Sequence, residues 1–289
     1  MQLLSLLHAA GVFLDRILRS NSNPEIRTLI HPQLAPAAGS LVLGIKPGND
    51  AQKADSQPSL DEENDMSTTT EARIPRILEQ VPDFQAKSTH GVIQLSDYTA
   101  KGKYVLLFSH PSDFTPVCTT EFIEFARRWA DFEKLNVQLI GVSIDSVYSH
   151  IAWVRDIERN AGVEIKFPVV ADLDQKVSQA YGLVHEAASD TATVRAVFAI
   201  DPKQNIRAIV YYPMQLGRNV DELIRIFEGL QTIDGNGVSV PANWKLGEPV
   251  IVPAPATVAD ARKRTNGGGA GLKVETWYLA KKDLATQGK

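Results

Sequence analysis

The patterning of this chain predicts an α/β fold, with helices laid on a mixed sheet, on three observations. Short apolar runs of strand length alternate with longer segments whose apolar residues recur at helical spacing. Their order is strand, helix, strand, helix, which layers helices on a sheet. Near the end of this region two apolar runs flank the turn Asp201-Pro202-Lys203-Gln204-Asn205 and read as a strand pair.

In chain order, Tyr104 to Phe108 is a buried strand, five apolar residues without alternation. Thr119 to Lys134 carries Phe122, Phe125, Ala126, Trp129 and Phe132 on one helical stripe. Val137 to Val142 is the next strand, and Val147 to Ala161 a helix. Phe167 to Val170 reads as a short strand and Gln175 to Tyr181 as a short helix. Val194 to Ile200 and Ile206 to Tyr211 form the strand pair, and Asn219 to Leu230 is the last helix of the layer.

Both ends differ in texture. Leu3, Leu4, Leu7, Leu14, Ile17 and Leu18 predict a short amphipathic helix over 1–20, interrupted by Asp15, Arg16 and Arg19. The apolar stretch before Asp15 is shorter than the roughly 20 residues of a bilayer crossing, so no transmembrane segment is expected. It lacks a basic leading region, which argues against a secretory signal; an organellar transit peptide is the alternative, because Arg16, Arg19 and Arg27 outnumber Asp15 and Glu25. From Asn21 the chain runs through Pro24, Pro32, Pro36, Pro47 and Pro58 into the acidic run Asp61, Glu62, Glu63, Asp65 without periodicity. Residues 1–71 therefore read as an N-terminal extension, disordered, removed or not translated, with Met66 as the alternative start.

The main domain is placed at 72–233. Beyond Asp234-Gly235-Asn236-Gly237, Pro241, Pro249, Pro253 and Pro255 leave little room for long elements, and residues 234–289 read as an arm or small domain. Residues 260–289 hold seven Lys or Arg against three Asp or Glu, but no aromatic interleaving supports nucleic-acid binding. The whole chain has a net charge of −4, with 44% hydrophobic and 22% charged residues over 289 positions. That is the composition of an ordinary globular protein, and it points to a small ligand rather than nucleic acid or an anionic membrane.

One cysteine, Cys118, rules out an internal disulfide and makes a Cys-rich zinc site improbable. The missing disulfide framework fits a reducing compartment, and the cytoplasm is the expected location. The histidines His8, His31, His90, His150 and His185 show no His-x-His or His-Glu-x-x-His spacing, and Gly267 to Gly271 neither follows a strand nor opens a helix. No metal and no cofactor is expected.

Cys118 is either inert packing or chemistry. It follows a strand and the turn His110-Pro111-Ser112-Asp113-Phe114-Thr115-Pro116-Val117 and precedes a long helix. A helix N-terminus supplies free amide N–H groups and the positive end of the dipole, which favour a thiolate, the reactive form. Thr115 can aim its hydroxyl at the sulfur, and Pro111 and Pro116 hold the loop in shape. A packing cysteine has no need of that position.

Pro111, Thr115 and Cys118 match the Pro-x-x-x-Thr-x-x-Cys signature, and here the chain resembles the peroxiredoxins. The stretch Phe108-Ser-His-Pro-Ser-Asp-Phe-Thr-Pro-Val-Cys-Thr-Thr-Glu121 is similar to their single-cysteine branch. Similarity continues through Gly141-Val-Ser-Ile-Asp-Ser146, Val194-Arg195-Ala-Val-Phe-Ala-Ile-Asp201 and Tyr212-Pro-Met-Gln-Leu-Gly-Arg-Asn219 into the proline-rich tail, from about residue 72 to about 280. The resemblance implies a thioredoxin-like fold, a central mixed sheet flanked by helices, with a C-terminal arm that helps to build a homodimer or larger ring.

It also implies roles. Cys118 becomes the peroxidatic nucleophile for hydrogen peroxide and organic hydroperoxides, Arg195 its cationic partner, and Thr115 a donor to the thiolate and the peroxide oxygen. A guanidinium is always charged, so Arg195 can favour the thiolate and polarise the O–O bond. Glu121 would orient Arg195 or Arg218, although charge compensation of a helix N-terminus, worth about 0.3–1 kcal/mol, explains it equally well. Pro111 would shield the sulfur from water, and His110 would hydrogen-bond near the oxidised sulfur.

Attack leaves a sulfenic acid, and with no second cysteine an external thiol must reset it: thioredoxin, glutaredoxin, glutathione or another. Lys103 stands where some single-cysteine relatives carry the serine of a lipase-type Gly-x-Ser-x-Gly motif, so no phospholipase activity is expected there. The rival class is an oligomeric redox-sensitive holdase or redox relay, supported only by the arm-like tail.

Overall fold

The computed structural model describes residues 74–284, except 268 and 270. The expected helix over 1–20 and the reading of the segment that precedes residue 74 lie outside the described residues.

Seven strands form the main sheet: β1 (Gln85–Ser88), β2 (Gly91–Gln94), β3 (Tyr104–Ser109), β4 (Val137–Ser143), β5 (Val169–Ala171), β6 (Arg195–Ile200) and β7 (Ile206–Tyr212), in spatial order β2-β1-β5-β4-β3-β6-β7. β3 and β5 run parallel to β4, while β6 is antiparallel to both β3 and β7. The sheet is mixed, as its strand order predicts. β3 and β4 are central and buried on both faces, which is why their sequences are continuous apolar runs.

Alternation along β3 sends Leu106 and Phe108 to one face and Val105 and Leu107 to the other. The first face packs on the helices α2 (Pro116–Arg127), α3 (Trp129–Lys134), α4 (Val147–Ala161) and α6 (Val220–Asn236), through Phe122, Phe125, Phe132, Trp153 and Phe227. The second packs on α1 (Leu95–Thr99) and α5 (Lys176–Ala180), through Leu95, Val177 and Tyr181. Among the described residues no helix is long and apolar enough to cross a membrane.

Several elements differ from their sequence reading. The strand pair β1 and β2 and the short helix α1 carry too few apolar residues to stand out; Asp83 organises them by accepting from the amides of Phe84 and Ser96 and from Gln94. The helix expected over 119–134 starts earlier, at Pro116, and breaks at Arg128, whose φ of −94° and ψ of 7° leave the helical region. α6 runs past its expected end at Leu230, through Asp234-Gly235-Asn236, and stops at Gly237 in the left-handed conformation with φ 59°. Its last turn is pinned to the sheet, because Asp234 takes both terminal nitrogens of Arg207, at 2.7 and 2.8 Å, and the Tyr104 hydroxyl at 2.7 Å. The Asp201 turn is built as its composition suggests: Asp201 Oδ1 accepts from the amides of Lys203 and Asn205, and Gln204 adopts φ 65°.

The tail carries β8 (Val250–Val252), α7 (Val258–Thr265), β9 (Lys273–Val274) and β10 (Ala280–Lys282), the strands ordered β8-β10-β9. Val238, Trp244 and Val250 make its small buried cluster. α7 buries no residue, and Val258, Trp277 and Tyr278 are exposed.

Candidate active site

Cys118 is the third residue of α2. Thr115 is the helix N-cap, with extended φ −100° and ψ 144°, and Pro116 occupies the first helical position, where a missing N–H costs nothing. The amide of Cys118 is therefore one of the N–H groups without an intrahelical acceptor. Cys118, Glu121, Phe122 and Phe125 are the buried residues of α2, and their spacing of three, four and seven puts them on one face. A carboxylate on that apolar stripe needs partners inside the protein.

Two arginines supply them. Arg195 opens β6 and is 2% exposed; its Nη1 lies 3.3 Å from Cys118 Sγ and donates to Glu121 Oε2 at 2.8 Å, while Nε donates to the Met214 carbonyl at 2.8 Å. The Arg218 amide donates to Glu121 Oε1 at 2.9 Å, and its Nη2 donates to the Ser109 carbonyl. Arg218 Nη1 sits 3.4 Å from Glu121 Oε2, an ion pair not aligned as a hydrogen bond, and Nε has no partner. The guanidinium also lies over the Phe108 ring, 5.3 Å from its centroid. Burial pushes Arg218 down to about 10, against the pull of Glu121 and with the repulsion of Arg195. Arg218 therefore stays charged at neutral pH. Two cations and one carboxylate leave an excess of one positive charge beside the sulfur.

The neighbouring strands set this geometry. Ser109, at the end of β3, donates its hydroxyl to Val194 O at 2.5 Å and accepts the Ala196 amide at 3.0 Å, locking the start of β6 beside the cysteine loop. Pro111 is buried in that loop. Thr115 departs from its expected role: its hydroxyl donates to the Ser112 carbonyl at 2.9 Å rather than to the sulfur. The proton closes the turn, and the oxygen keeps lone pairs for an incoming O–H.

His110 is fully buried behind the loop, with Nε2 3.0 Å from Asp113 Oδ1. Asp113 also meets His150 Nδ1, at 2.8 Å from Oδ2. Asp113 and His150 are the site-adjacent residues that motif reasoning missed; the available signal was a carboxylate inside the proline-rich loop. His110, Asp113 and His150 offer ligand atoms within 4.8 Å of one another, but these atoms face each other in hydrogen bonds. So the structure brings together Cys118, Arg195, Glu121 and Arg218, with Thr115, Pro111 and His110 in the flanking loop.

Residues 77–209 match the model of the AhpC/TSA family, and residues 229–268 that of the C-terminal domain of 1-Cys peroxiredoxin. The "Peroxiredoxin 2" of Caldanaerobacter subterraneus subsp. tengcongensis is 50% identical over 224 residues, which covers 76% of this chain and 100% of the relative. The "Peroxiredoxin" of Thermoplasma volcanium is 52% identical over 207 residues, 71% and 98%. Among solved structures, a yeast mitochondrial 1-Cys peroxiredoxin, described with a thiol resolving mechanism via glutathione/thioredoxin systems, superposes with a TM-score of 0.64 at 37% identity, over 73% of this chain and 100% of the other. A mutant of Peroxiredoxin 6 of Arenicola marina gives 0.65 at 29% identity, over 73% and 99%. With a thioredoxin-like mixed sheet, one cysteine at a helix N-terminus and these relatives, the chain belongs to the peroxiredoxin family, in its single-cysteine branch, and is a thiol-dependent peroxidase.

Proposed function

We propose that Cys118 is the peroxidatic nucleophile and that Arg195, Glu121 and Arg218 form the charged frame in which it attacks a peroxide. The observation that carries this is the 3.3 Å contact between Arg195 Nη1 and Sγ, made by a guanidinium that Glu121 holds from the same helix face. The excess positive charge is neutralised when the sulfur is a thiolate, and buried ions of like sign without a counter-ion are expensive. Thiolate attack forms an S–O bond and breaks O–O; the leaving oxygen takes a proton and departs as water or an alcohol. Arg195 Nη1 is placed to donate to the oxygens as charge moves between them. Thr115 Oγ1 accepts the peroxide O–H, Pro111 keeps water from the sulfur, and His110 serves the oxidised state.

The sulfenic acid is reset by an external thiol, since the chain has no second cysteine. The glutathione and thioredoxin systems of the yeast structural relative are the model for that reductant. Cys118 has no exposed surface, so a protein thiol reaches it only when the loop and the first turn of α2 open. We assign the C-terminal arm, with exposed Val258, Trp277 and Tyr278, to self-association as a homodimer or ring, and the enzyme to a reducing compartment such as the cytoplasm. A stopped-flow peroxide assay with a panel of thiols tests the reductant: one of them must sustain turnover, and none doing so overturns the external-thiol reading. Light scattering reports the assembly.

A further inference from the structure

We propose that Asp113 and His150 are positioning residues that hold His110 in one tautomer, Nε2 protonated and Nδ1 bare, and that this bare nitrogen keeps the proton of the Cys118 sulfenic acid and so slows a second oxidation. The inference rests on the peroxidase reading and concerns the fate of the oxidised sulfur.

The protonation pattern comes from donor and acceptor types. His150 Nε2 lies 3.1 Å from the Val170 carbonyl, which only accepts. His150 Nδ1 lies 3.0 and 2.8 Å from the two oxygens of Asp113. Burial pushes Asp113 up, but hydrogen bonds from His110 and His150 outweigh it and hold the group well below the usual carboxylate range, so it too only accepts. Both nitrogens of His150 therefore donate. Asp113 Oδ1 takes a further N–H from His110 Nε2 at 3.0 Å. Burial, above all else, keeps His110 below its ordinary value despite Asp113, so its ring is neutral and Nδ1 carries no proton. The remaining charged group at the loop, Asp145, is occupied by the Asp113 amide at 3.0 Å and by the hydroxyls of Ser112 and Ser143.

His110 Nδ1 is thus a buried acceptor with no partner in the reduced protein. Such groups are rare and each asks for an explanation, of which a redox role is one. The His110 ring packs 5.0 Å from that of Phe122, one turn after Cys118 on the same buried face, and Phe122 shares its apolar cluster with Cys118. The reaction creates one new donor on the face of α2 that Phe122 shares, the S–O–H of the sulfenic acid at Cys118. A second oxidation starts from the deprotonated sulfenate: its sulfur attacks another peroxide, a second S–O bond forms, O–O breaks, and the leaving hydroxide is protonated to water, giving sulfinic acid. A bare Nδ1 holds the S–O–H proton in a hydrogen bond. A protonated Nδ1 would stabilise the sulfenate instead.

Nitrogen-15 NMR of the full chain, labelled at histidine and reduced, should show protons on both nitrogens of His150 and on Nε2 alone of His110; a proton on His110 Nδ1 overturns the proposal. Asp113→Asn can turn an amide N–H toward Nε2 and drive the His110 proton to Nδ1. In that variant the ratio of second to first oxidation rate constants at Cys118, read by mass spectrometry of sulfinic against sulfenic acid, should rise about fivefold to tenfold, the worth of one hydrogen bond. A moved proton with an unchanged ratio overturns the proposal. Should Asp113→Asn fail to fold, the same ratio is read in His150→Leu and His150→Asn. His150→Asn, which keeps a donor toward Asp113, should raise it less, and equal effects overturn the account. The first rate constant reports on the peroxidase reading and the ratio on the tautomer lock, so the two fail separately.

Discussion

Replacing Glu121 by Gln decides between two explanations of one carboxylate. If Glu121 only compensates the N-terminus of α2, its charge is worth about 0.3–1 kcal/mol. The structure gives it a larger task. It is 3% exposed, takes Arg195 Nη1 at 2.8 Å and the Arg218 amide at 2.9 Å, and lies 3.4 Å from Arg218 Nη1. Gln has the same shape but one acceptor oxygen, so one of these donors would face an N–H group. The two guanidinium groups would also share the pocket without a carboxylate. Removing one member of such a buried set costs about 3–5 kcal/mol. For a domain of this size that lowers Tm by roughly 6–20 °C, at about 2–4 °C per kcal/mol. Arg195 also loses its anchor, and misplacement of a polarising group costs on the order of 100-fold in rate. Urea unfolding gives the first quantity, and stopped-flow oxidation of Cys118 by hydrogen peroxide the second. A loss below about 1 kcal/mol with an unchanged rate refutes the clasp and returns Glu121 to the helix terminus.

Three further outcomes follow from the same geometry. Arg195→Lys keeps the charge but loses the fork that reaches Sγ, Glu121 and the Met214 carbonyl together, so the peroxide rate should fall on the order of 100-fold in stopped flow. Thr115→Val removes the hydroxyl that closes the turn on Ser112 and that, in the proposed mechanism, accepts the peroxide O–H; a rate loss of about tenfold with at most about 1.5 kcal/mol of stability is expected, and a large stability loss with normal rate would make the residue structural only. His110 is held below its ordinary value by burial, so it binds a proton in the unfolded chain before it does in the folded one. The stability it contributes is complete above about pH 6.5 and is lost as pH falls from there toward its folded value. Urea titrations should therefore show stability dropping below that pH by up to about 1.4 kcal/mol per unit from this group, with a shallower slope in His110→Gln.

The strands β3, β4 and β6 were legible because burial on both faces forces continuous apolar runs. β1 and β2 were not, since they pair through Asp83 and backbone contacts rather than through an apolar pattern. The end of α6 was hidden because Gly235 and Asn236 are weak helix formers, whereas the Asp234 clasp to Arg207 and Tyr104 holds the helix on past Leu230 to Asn236. At the site, Cys118 and Arg195 were readable as a thiol at a helix start and a cation opening an apolar strand. The balance between Arg195, Arg218 and Glu121 was only half readable: Glu121 stands on the buried stripe, but its partners come from the start of β6 and the segment before α6, far along the chain. The Thr115 hydroxyl turning to Ser112 is a local rotamer choice that the motif does not specify, and the joining of His150 to Asp113 is a tertiary contact between residues 37 apart.

The central claim is that one sulfur does the chemistry, and a single-turnover reaction tests it most directly. The reduced full chain is mixed with one equivalent of hydrogen peroxide, quenched with a sulfenic-acid trap and mapped by mass spectrometry beside Cys118→Ser. The account predicts one oxygen transferred to Cys118, peroxide consumed in step with it, and no consumption above background in the variant. Peroxide consumption that survives in Cys118→Ser would contradict it.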